Sequence, residues 1–332
     1  MSFGDNVRSA LQERGVSIRA AAKALNYDHA YLSRVINGKQ APSRELAHAI
    51  DKFVGADGAL AALGVRLDGD DVDRVRKVLQ DASRLDAQAV KSLAGVLAAE
   101  RRLDDTLGPC PLIPGARGDA SSLRQLLRAA RGPHRLALAD VVAEWVQFEG
   151  WLHASAGNFG DAVPLLVEAL DLADEAESPT LAAQALNFRG YIARQQRRPM
   201  AVARWFYAAY TTPGAHPAQR MGDAAQTAQG LAELGRFTDA RRMLDEAAAL
   251  ADPAADQPPG TAYWLTPTFQ RLNLGLAHLG LGDHDTAVDH LAAGLDGLPD
   301  DQRNAEWTVE YKDALNAARA GHVEVHVRPD VV

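Results

Sequence analysis

Apolar side chains recur at the three- and four-residue spacing of amphipathic helices along most of the chain. One apolar stripe runs over 72–79 and the next over 90–103, and from about Ser121 onward one helical pattern follows another. The end of the chain, 322–332, differs because Val alternates there with polar residues, as in a short strand or a disordered tail. The pattern as a whole predicts an all-α protein.

Short helices separated by turns are expected near the start of the chain. Ser17 opens one helix as an N-cap residue, and the turn Asn26-Tyr27 leads to a second helix over 28–36. Gly38 supplies a left-handed residue that ends the second helix, and Ser43 caps a further one. The shared core, in which Ala21 is small because two helices cross there, is expected to hold Ile18, Ala22, Leu25, Leu32, Val35, Ile36, Leu46 and Ile50.

This segment resembles the phage-repressor-like, or Xre, family of helix-turn-helix proteins. The resemblance is carried by Ser17-Ile18-Arg19, by the run from Tyr31 to Lys39 and by Pro42-Ser43. It implies that the second helix of the pair lies in the major groove of DNA with its early residues facing base edges. The sequence departs from the usual family pattern at Arg19, where glutamine is common, and at Asn37, where glutamate is common.

The resemblance assigns roles to individual residues of this module. Arg34 is expected at the groove margin, where it reaches a guanine or a phosphate. Charge or exposed helix N–H groups suit the phosphate backbone without reading sequence. The candidates for base contact are His29, Ala30, Tyr31 and Ser33, and those for phosphate contact are Ser17, Arg19, Lys39 and Ser43.

A hexapeptide of the form Gly-x-aromatic-x-x-Ala recurs in the second half of the chain, with His taken as one of the aromatics. It occupies 157–162, 235–240 and 282–287, and a degenerate copy places Arg197 where the glycine would be, which gives spacings of 40, 38 and 47 residues. The glycine is expected to cap one helix, the aromatic to fill the turn, and the alanine to let two helices approach closely. This resembles the tetratricopeptide repeat, in lengthened form, over about 140–320.

Stacked helix pairs of this kind form a superhelix whose concave face is lined by the first helix of each pair. Side-chain amides there suit the backbone of an extended peptide, and Trp and Tyr provide flat apolar anchors. The layout is similar to the peptide-sensing, quorum-sensing-like regulators of Gram-positive bacteria, and the phrase over 101–114 resembles a group of actinobacterial regulators. Self-association or partner docking is the alternative use of such repeats. The inward positions are Gln147, Trp151, Asn187, Tyr191, Arg194, Gln226, Gln229 and Asn273.

Length, proline content and charge refine this picture. A chain of 332 residues is expected to contain two or more folding units. We expect a helix-turn-helix domain over 1–67, a helical spacer and Pro-rich linker over 68–120, tetratricopeptide-like repeats over 121–321 and a tail over 322–332. The stretch 108–115 contains three prolines and is predicted not to be helical.

The charge distribution favours a DNA-binding head on an acidic body. Residues 1–54 hold eight Lys and Arg against five Asp and Glu, and since the whole chain carries −8, the remaining residues carry −11. The single cysteine, Cys110, cannot form an internal disulfide, and no signal segment or long apolar run is apparent. These features predict a cytoplasmic protein that does not enter a membrane.

Catalytic and metal-binding motifs were not found in the sequence. Phosphate-binding loops, zinc-protease and serine-hydrolase motifs and paired Cys-x-x-Cys are all missing. His284 and His290 lie among aspartates, but His284 takes the aromatic position of its repeat, so no metal or other cofactor is expected. We therefore expect that the protein is not an enzyme. We expect a homodimeric transcriptional regulator that binds a palindromic operator in double-stranded DNA and is regulated by a peptide or small-molecule effector. The alternative is an interaction scaffold that recruits a protein through the repeats, with DNA binding secondary.

Overall fold

The computed structural model describes residues 3–37, 39–40, 42–55, 69–251, 258–299 and 302–327. All regular structure in these ranges is helical, which confirms the predicted all-α fold. The chain divides into two compact units, Met1–Arg102 and Leu103–Val332, and the division falls inside one helix. No helix in these ranges combines the length and the apolar content needed to cross a membrane.

The first unit is built from short helices followed by two longer ones. Polar N-cap residues begin α2, α3 and α4, and a left-handed glycine, Gly55, ends α4. The helices are α1 (Phe3–Glu13), α2 (Ile18–Ala24), α3 (His29–Ile36), α4 (Arg44–Val54), α5 (Gly69–Gln80) and α6 (Ala87–Leu107), with a 3₁₀ turn at Ala82–Arg84 before α6.

The core of α1 to α4 contains the residues that the sequence predicted. Six of the eight predicted positions are buried, while Ile18 and Leu25 are partly buried against the same cluster. Helix α1 adds Val7 and Leu11, which the prediction did not include. Gly4 lets α1 approach the end of α3, because a Cβ there would lie 2.1 Å from the Ile36 carbonyl oxygen. The predicted left-handed role of Gly38 lies outside the described residues.

The second unit is a row of helices in which each packs against its neighbour along the chain. Its tight turns are closed by residues with positive φ, as the repeat pattern requires. The helices are α7 (Ile113–Ala129), α8 (Arg135–Ser155), α9 (Phe159–Glu175), α10 (Pro179–Gln195), α11 (Pro199–Tyr210), α12 (Pro217–Glu233), α13 (Phe237–Ala249), α14 (Pro267–Leu281), α15 (His284–Asp296) and α16 (Val309–Val327).

The turns of the repeated hexapeptide have the expected backbone. Gly157, Gly235 and Gly282 have φ of 76°, 73° and 79°, and Arg197 adopts φ 53° at the equivalent place of the degenerate copy. Left-handed backbone of this kind costs a non-glycine residue free energy, so Arg197 is held there by its helices. The predicted alanines of the three copies, Ala162, Ala240 and Ala287, are fully buried.

A glycine that allows close helix approach lies seven residues before three of the four turns, at Gly150, Gly190 and Gly275. A Cβ on Gly150 would lie 3.0 Å from Leu166, and one on Gly190 would lie 2.8 Å from the Phe206 ring. Each partner lies sixteen residues further along the chain, on the next helix. The aromatic position is less regular, and the expectation that it fills the turn is wrong at Phe237, whose side chain is 47% exposed.

The structure departs from the sequence analysis at two irregular segments, of which 108–115 is helical only from Ile113. Helix α7 begins at Ile113 and includes Pro114 in its first turn, where a missing N–H costs nothing because that donor has no partner within the helix. The boundary predicted at residue 120 therefore falls inside a helix. Helix α16 continues to Val327, so 322–327 forms neither of the two alternatives that the sequence left open, a short strand or a disordered tail. Residues 328–332 lie outside the described ranges.

Candidate nucleic-acid interface and the inner face of the repeats

Three side-chain caps fix the positions of α2, α3 and α4. Ser17 Oγ accepts a hydrogen bond from the Ala20 N–H at 3.1 Å, and Ser43 Oγ accepts one from the Leu46 N–H at 3.1 Å. Both caps were predicted. Asp28 Oδ1 accepts from the Tyr31 N–H at 2.8 Å and opens α3 in the same way. This third cap was missed, although an Asp before the first turn of a helix is a recognised start signal.

One side of α3 is buried and the other is exposed. Leu32, Val35 and Ile36 face the core, whereas His29 and Ala30 are exposed. Ser33 is half-buried and Arg34 is exposed on the same side, one helical turn further along. Four of the predicted DNA-contact candidates thus share one accessible helix face.

The predicted phosphate-contact residues lie at the ends of these helices. Arg19 is exposed in the first turn of α2, and Lys39 is exposed just after α3. The Lys39 N–H donates to the Arg34 carbonyl at 2.8 Å, and Arg34 Nε donates to Gln40 Oε1 at 3.1 Å. The loop after α3 therefore folds back on Arg34 and orients its guanidinium.

Tyr31 is turned toward its own domain. Its hydroxyl accepts a hydrogen bond from the Ser43 N–H at 3.0 Å, and its ring centroid lies 6.2 Å from that of Tyr27. The side chain is half-buried. Tyr31 thus ties the end of the loop before α4 to α3, and this placement weighs against a base-contacting role.

Asn37 connects α3 to α1. Its Nδ2 donates to the Ser33 carbonyl at 2.8 Å, while its Oδ1 accepts from Arg8 Nη2 at 2.9 Å. Arg8 Nη2 also donates to the Ile36 carbonyl at 3.3 Å. An amide suits this position because it accepts from the guanidinium and donates to the helix end at once.

The predicted inward residues of the repeats bond to or stack on other groups of the same chain. Gln147, Gln226, Gln229 and Asn273 are buried, and the other four are partly buried. Gln147 Nε2 donates to the Leu181 carbonyl at 3.0 Å, which joins α8 to α10. Elements of the same chain therefore cover much of the face on which these inward positions were predicted to lie.

The C-terminal helix provides one of these covers. Glu310 of α16 accepts from Arg194 Nη2 at 2.8 Å and from Arg194 Nε at 3.1 Å. Burial works to lower the pKa of Arg194, but the Glu310 carboxylate outweighs it and raises that pKa. Arg194 also donates to Gln226 Oε1, so a bidentate ion pair and an amide hold α10, α12 and α16 together.

Aromatic rings provide a second cover. The Trp151 centroid lies 4.9 Å from that of Phe188 and 5.1 Å from that of Tyr191. Trp264, from the segment before α14, stacks on Phe188 at 6.2 Å. Trp151 Nε1 donates to Asp104 Oδ2 at 2.8 Å. The predicted aromatic anchors therefore already contact rings and a carboxylate of their own chain.

We call the face formed by the predicted inward residues the inner face. Asp223 was not predicted and bonds to one of these residues, Asn187. It is fully buried on α12 and accepts from Asn187 Nδ2 at 2.6 Å and from Gln219 Nε2 at 2.9 Å. Burial raises the pKa of this carboxyl to about 8, because two neutral amides do not offset the loss of water.

Three buried amide oxygens accompany this carboxyl. Gln147 Oε1, Gln184 Oε1 and Gln229 Oε1 have no hydrogen-bond donor within the described part of the chain, although the nitrogens of the same amides are bonded. Unsatisfied buried acceptors are rare because each costs about 1–3 kcal/mol. These helices thus hold three buried amide oxygens without a donor in the described part of the chain.

Comparison with known proteins identifies a domain within the first unit. A family model described as a helix-turn-helix domain matches residues 2–64. No match was found among curated proteins or among solved structures. The chain therefore carries an N-terminal helix-turn-helix domain, of the kind that binds DNA, ahead of a helical region.

Proposed function

We propose that this protein is a sequence-specific DNA-binding transcriptional regulator. The observation that carries the proposal is the accessible face of α3, which presents His29, Ala30, Ser33 and Arg34 beside a capped helix pair within the matched domain. Arg19, Lys39 and the N-terminal turns opened by Ser17 and Ser43 contact the phosphates on either side. Tyr31 supports this surface from behind.

Selection of bound fragments from the source genome tests this proposal. Wild-type protein enriches a defined site at moderate salt, and the double variant His29→Ala with Arg34→Ala loses that enrichment while keeping weak, salt-sensitive binding. A control double variant, His48→Ala with Arg76→Ala, changes two exposed residues elsewhere in the same unit and keeps the site. Equal enrichment by both double variants would contradict a base-reading role for α3.

The regulator acts as a homodimer on a palindromic operator. One helix-turn-helix module contacts few base pairs, and two-fold symmetric sites match two-fold symmetric proteins. Sedimentation of the protein with a duplex containing the enriched site measures the stoichiometry. Two chains per duplex and a two-fold symmetric site agree with this arrangement, whereas one chain on an asymmetric site contradicts it.

The repeats act as the sensing region. Their inner face combines the unsatisfied Gln147, Gln184 and Gln229 oxygens with a ring cluster, which suits an effector with N–H donors such as a peptide. Because Glu310 and Trp264 occupy this face, an effector binds by competing with them, and it shifts the protein between a closed and an open arrangement. Screening peptides by thermal shift in wild type and in Trp264→Ala measures this competition.

An interaction scaffold is the second candidate. The observation that favours it is that Met200, Arg204 and Tyr207 are all exposed on helix α11. A scaffold would lose only weak, salt-sensitive DNA affinity when Arg34 is changed, whereas a regulator loses its operator.

A further inference from the structure

The stretch from α10 through α11 into the start of α12 carries an excess of positive charge. From 178 to 222 the chain has six arginines and no acidic residue, and since the whole chain carries −8, the other residues carry −14. One of the six, Arg194, turns inward to Glu310. Arg197, Arg198 and Arg204 are exposed, and Arg189 is half-buried. A basic surface therefore lies within an otherwise acidic body.

Two of these arginines enclose one indole. The Arg189 guanidinium carbon lies 3.6 Å from the centroid of the Trp205 ring, and that of Arg204 lies 4.2 Å from it. Burial, followed by repulsion from Arg204, lowers the pKa of Arg189. Across the ranges that the structure covers, neither guanidinium forms an ion pair. Two neighbouring cations without a counter-charge are stabilised by an anion that reaches both.

Apolar side chains continue this surface along α11. Met200 is 64% exposed and Tyr207 is 52% exposed, and with Arg204 between them they follow the four- and three-residue spacing of one helix face. Met, Tyr, Trp and Arg are the residues enriched at the centres of protein interfaces. We call Met200, Arg204, Trp205 and Tyr207, together with Arg189 of the neighbouring helix α10, the outer surface of α11.

We propose that the outer surface of α11 binds an acidic segment of another protein, in which carboxylates alternate with bulky apolar side chains. The carboxylates pair with Arg189 and Arg204, and the apolar groups cover Met200 and Tyr207. Duplex DNA would engage the arginines but would leave the two apolar side chains exposed, so the combination favours a protein partner. This surface is distinct from the inner face, and the proposal holds whether or not the protein regulates transcription.

Fluorescence anisotropy with the full-length protein tests the proposal. The probe is a labelled helical peptide of Glu and Leu, compared with the same peptide carrying Ser for Leu and with a random duplex DNA. We expect the Glu/Leu peptide to bind best. The double variants Arg189→Gln with Arg204→Gln and Met200→Ala with Tyr207→Ala each weaken its binding at least about tenfold. The control, Arg241→Gln with Arg319→Gln, removes two exposed arginines on other helices and leaves binding unchanged.

Several outcomes would overturn the proposal. Unchanged peptide affinity in both surface double variants places binding elsewhere. Equal affinity for the Glu/Ser peptide shows that charge alone acts, and tighter binding of duplex DNA that is lost with Arg189 and Arg204 shows a nucleic-acid surface. Self-association of the wild type that disappears in the same variants assigns the surface to a second copy. Thermal unfolding of each variant verifies the fold, and it is expected to match wild type because Met200, Arg204 and Tyr207 are exposed and the half-buried Arg189 forms no ion pair in the described chain.

Discussion

Asp223 is a buried acid whose protonation state sets how stability depends on pH. Its pKa rises from 3.8 to about 8 on folding, so between these values the folded protein holds a proton that the unfolded chain has released. The stability linked to this group is fully present below pH 4 and is lost as the pH rises through 8, by at most about 1.4 kcal/mol per pH unit. Asp223→Asn, which mimics the protonated acid, is therefore expected to raise the unfolding free energy at pH 8 and to change it little at pH 4.

Urea unfolding at several pH values measures this difference. Asp171→Asn is the matched control, since Asp171 is exposed in the same unit, and it is expected to follow the wild-type pH profile. If the unfolding free energies of wild type and Asp223→Asn change with pH in the same way, the buried carboxyl is ionised in the folded protein and its two amide partners are enough to stabilise the charge.

The residues that the sequence predicted best are those whose role is local. Ser17 and Ser43 were identified as caps because a cap depends only on the next three residues. Asp223 could not be identified, because its partner Asn187 lies on another helix and the pairing depends on how α10 and α12 pack. Tyr31 shows the same limit, since its hydroxyl meets Ser43 only after α3 and α4 are in place.

At the scale of helices, Tyr31 joins α3 to the start of α4. Tyr31→Phe removes the acceptor of the Ser43 N–H, and we expect a loss of about 1 kcal/mol in the unfolding free energy of the first unit. DNA binding weakens slightly, but the ratio of operator to random-duplex affinity is kept, because a supporting residue reads no base. Calorimetry and competition binding measure the two effects.

Tyr27→Phe serves as the comparison for this change, since the Tyr27 ring packs against Tyr31 while its hydroxyl makes no hydrogen bond in the described chain. It is expected to leave both quantities unchanged. A collapse of the affinity ratio in Tyr31→Phe would instead assign the phenol to base contact.

The pair of Arg194 and Glu310 joins helices that are far apart in sequence. Arg194 is nearly inaccessible, so Glu310→Gln leaves a buried guanidinium without its carboxylate and is expected to cost about 3 kcal/mol. Glu175→Gln breaks the ion pair with Arg135, whose side chains are 37% and 41% exposed, and is expected to cost less than about 1 kcal/mol. Equal losses in urea unfolding of the two variants would show that α16 is not anchored through this pair.

Helix-scale prediction succeeded where the pattern is periodic and failed where long-range packing decides. The turns at Gly157, Gly235 and Gly282 followed from a repeated hexapeptide. The covering of the inner face could not be predicted, because Glu310 lies 116 residues from Arg194 and no local pattern relates the two residues. The stretch beginning at Gly108 was misjudged for a different reason, because prolines exclude a helix interior but not a first turn.

At the scale of the whole molecule, charge separates a basic start from an acidic remainder. The first 54 residues carry +3 and the rest −11, so we expect most phosphate contacts to come from the helix-turn-helix domain. Affinity for DNA is then expected to depend steeply on salt through a small number of side chains. Those side chains can be counted one at a time.

The single variants Lys39→Gln and Arg19→Gln measure how many phosphate contacts each residue makes, and they also test whether two chains bind the DNA. Each variant removes one exposed cation from the helix-turn-helix domain. The magnitude of the slope of log affinity against log salt is therefore expected to fall by about 0.9 if one such domain contacts the duplex, and by about 1.8 if two do. The preferred site stays the same, because phosphate contacts carry no sequence information. Lys91→Gln, an exposed lysine on α6, is the matched control and is expected to leave the slope unchanged. A change near 0.9 on the full operator would contradict a homodimer with both heads on DNA, and an altered site preference would move the residue from phosphate contact to base contact.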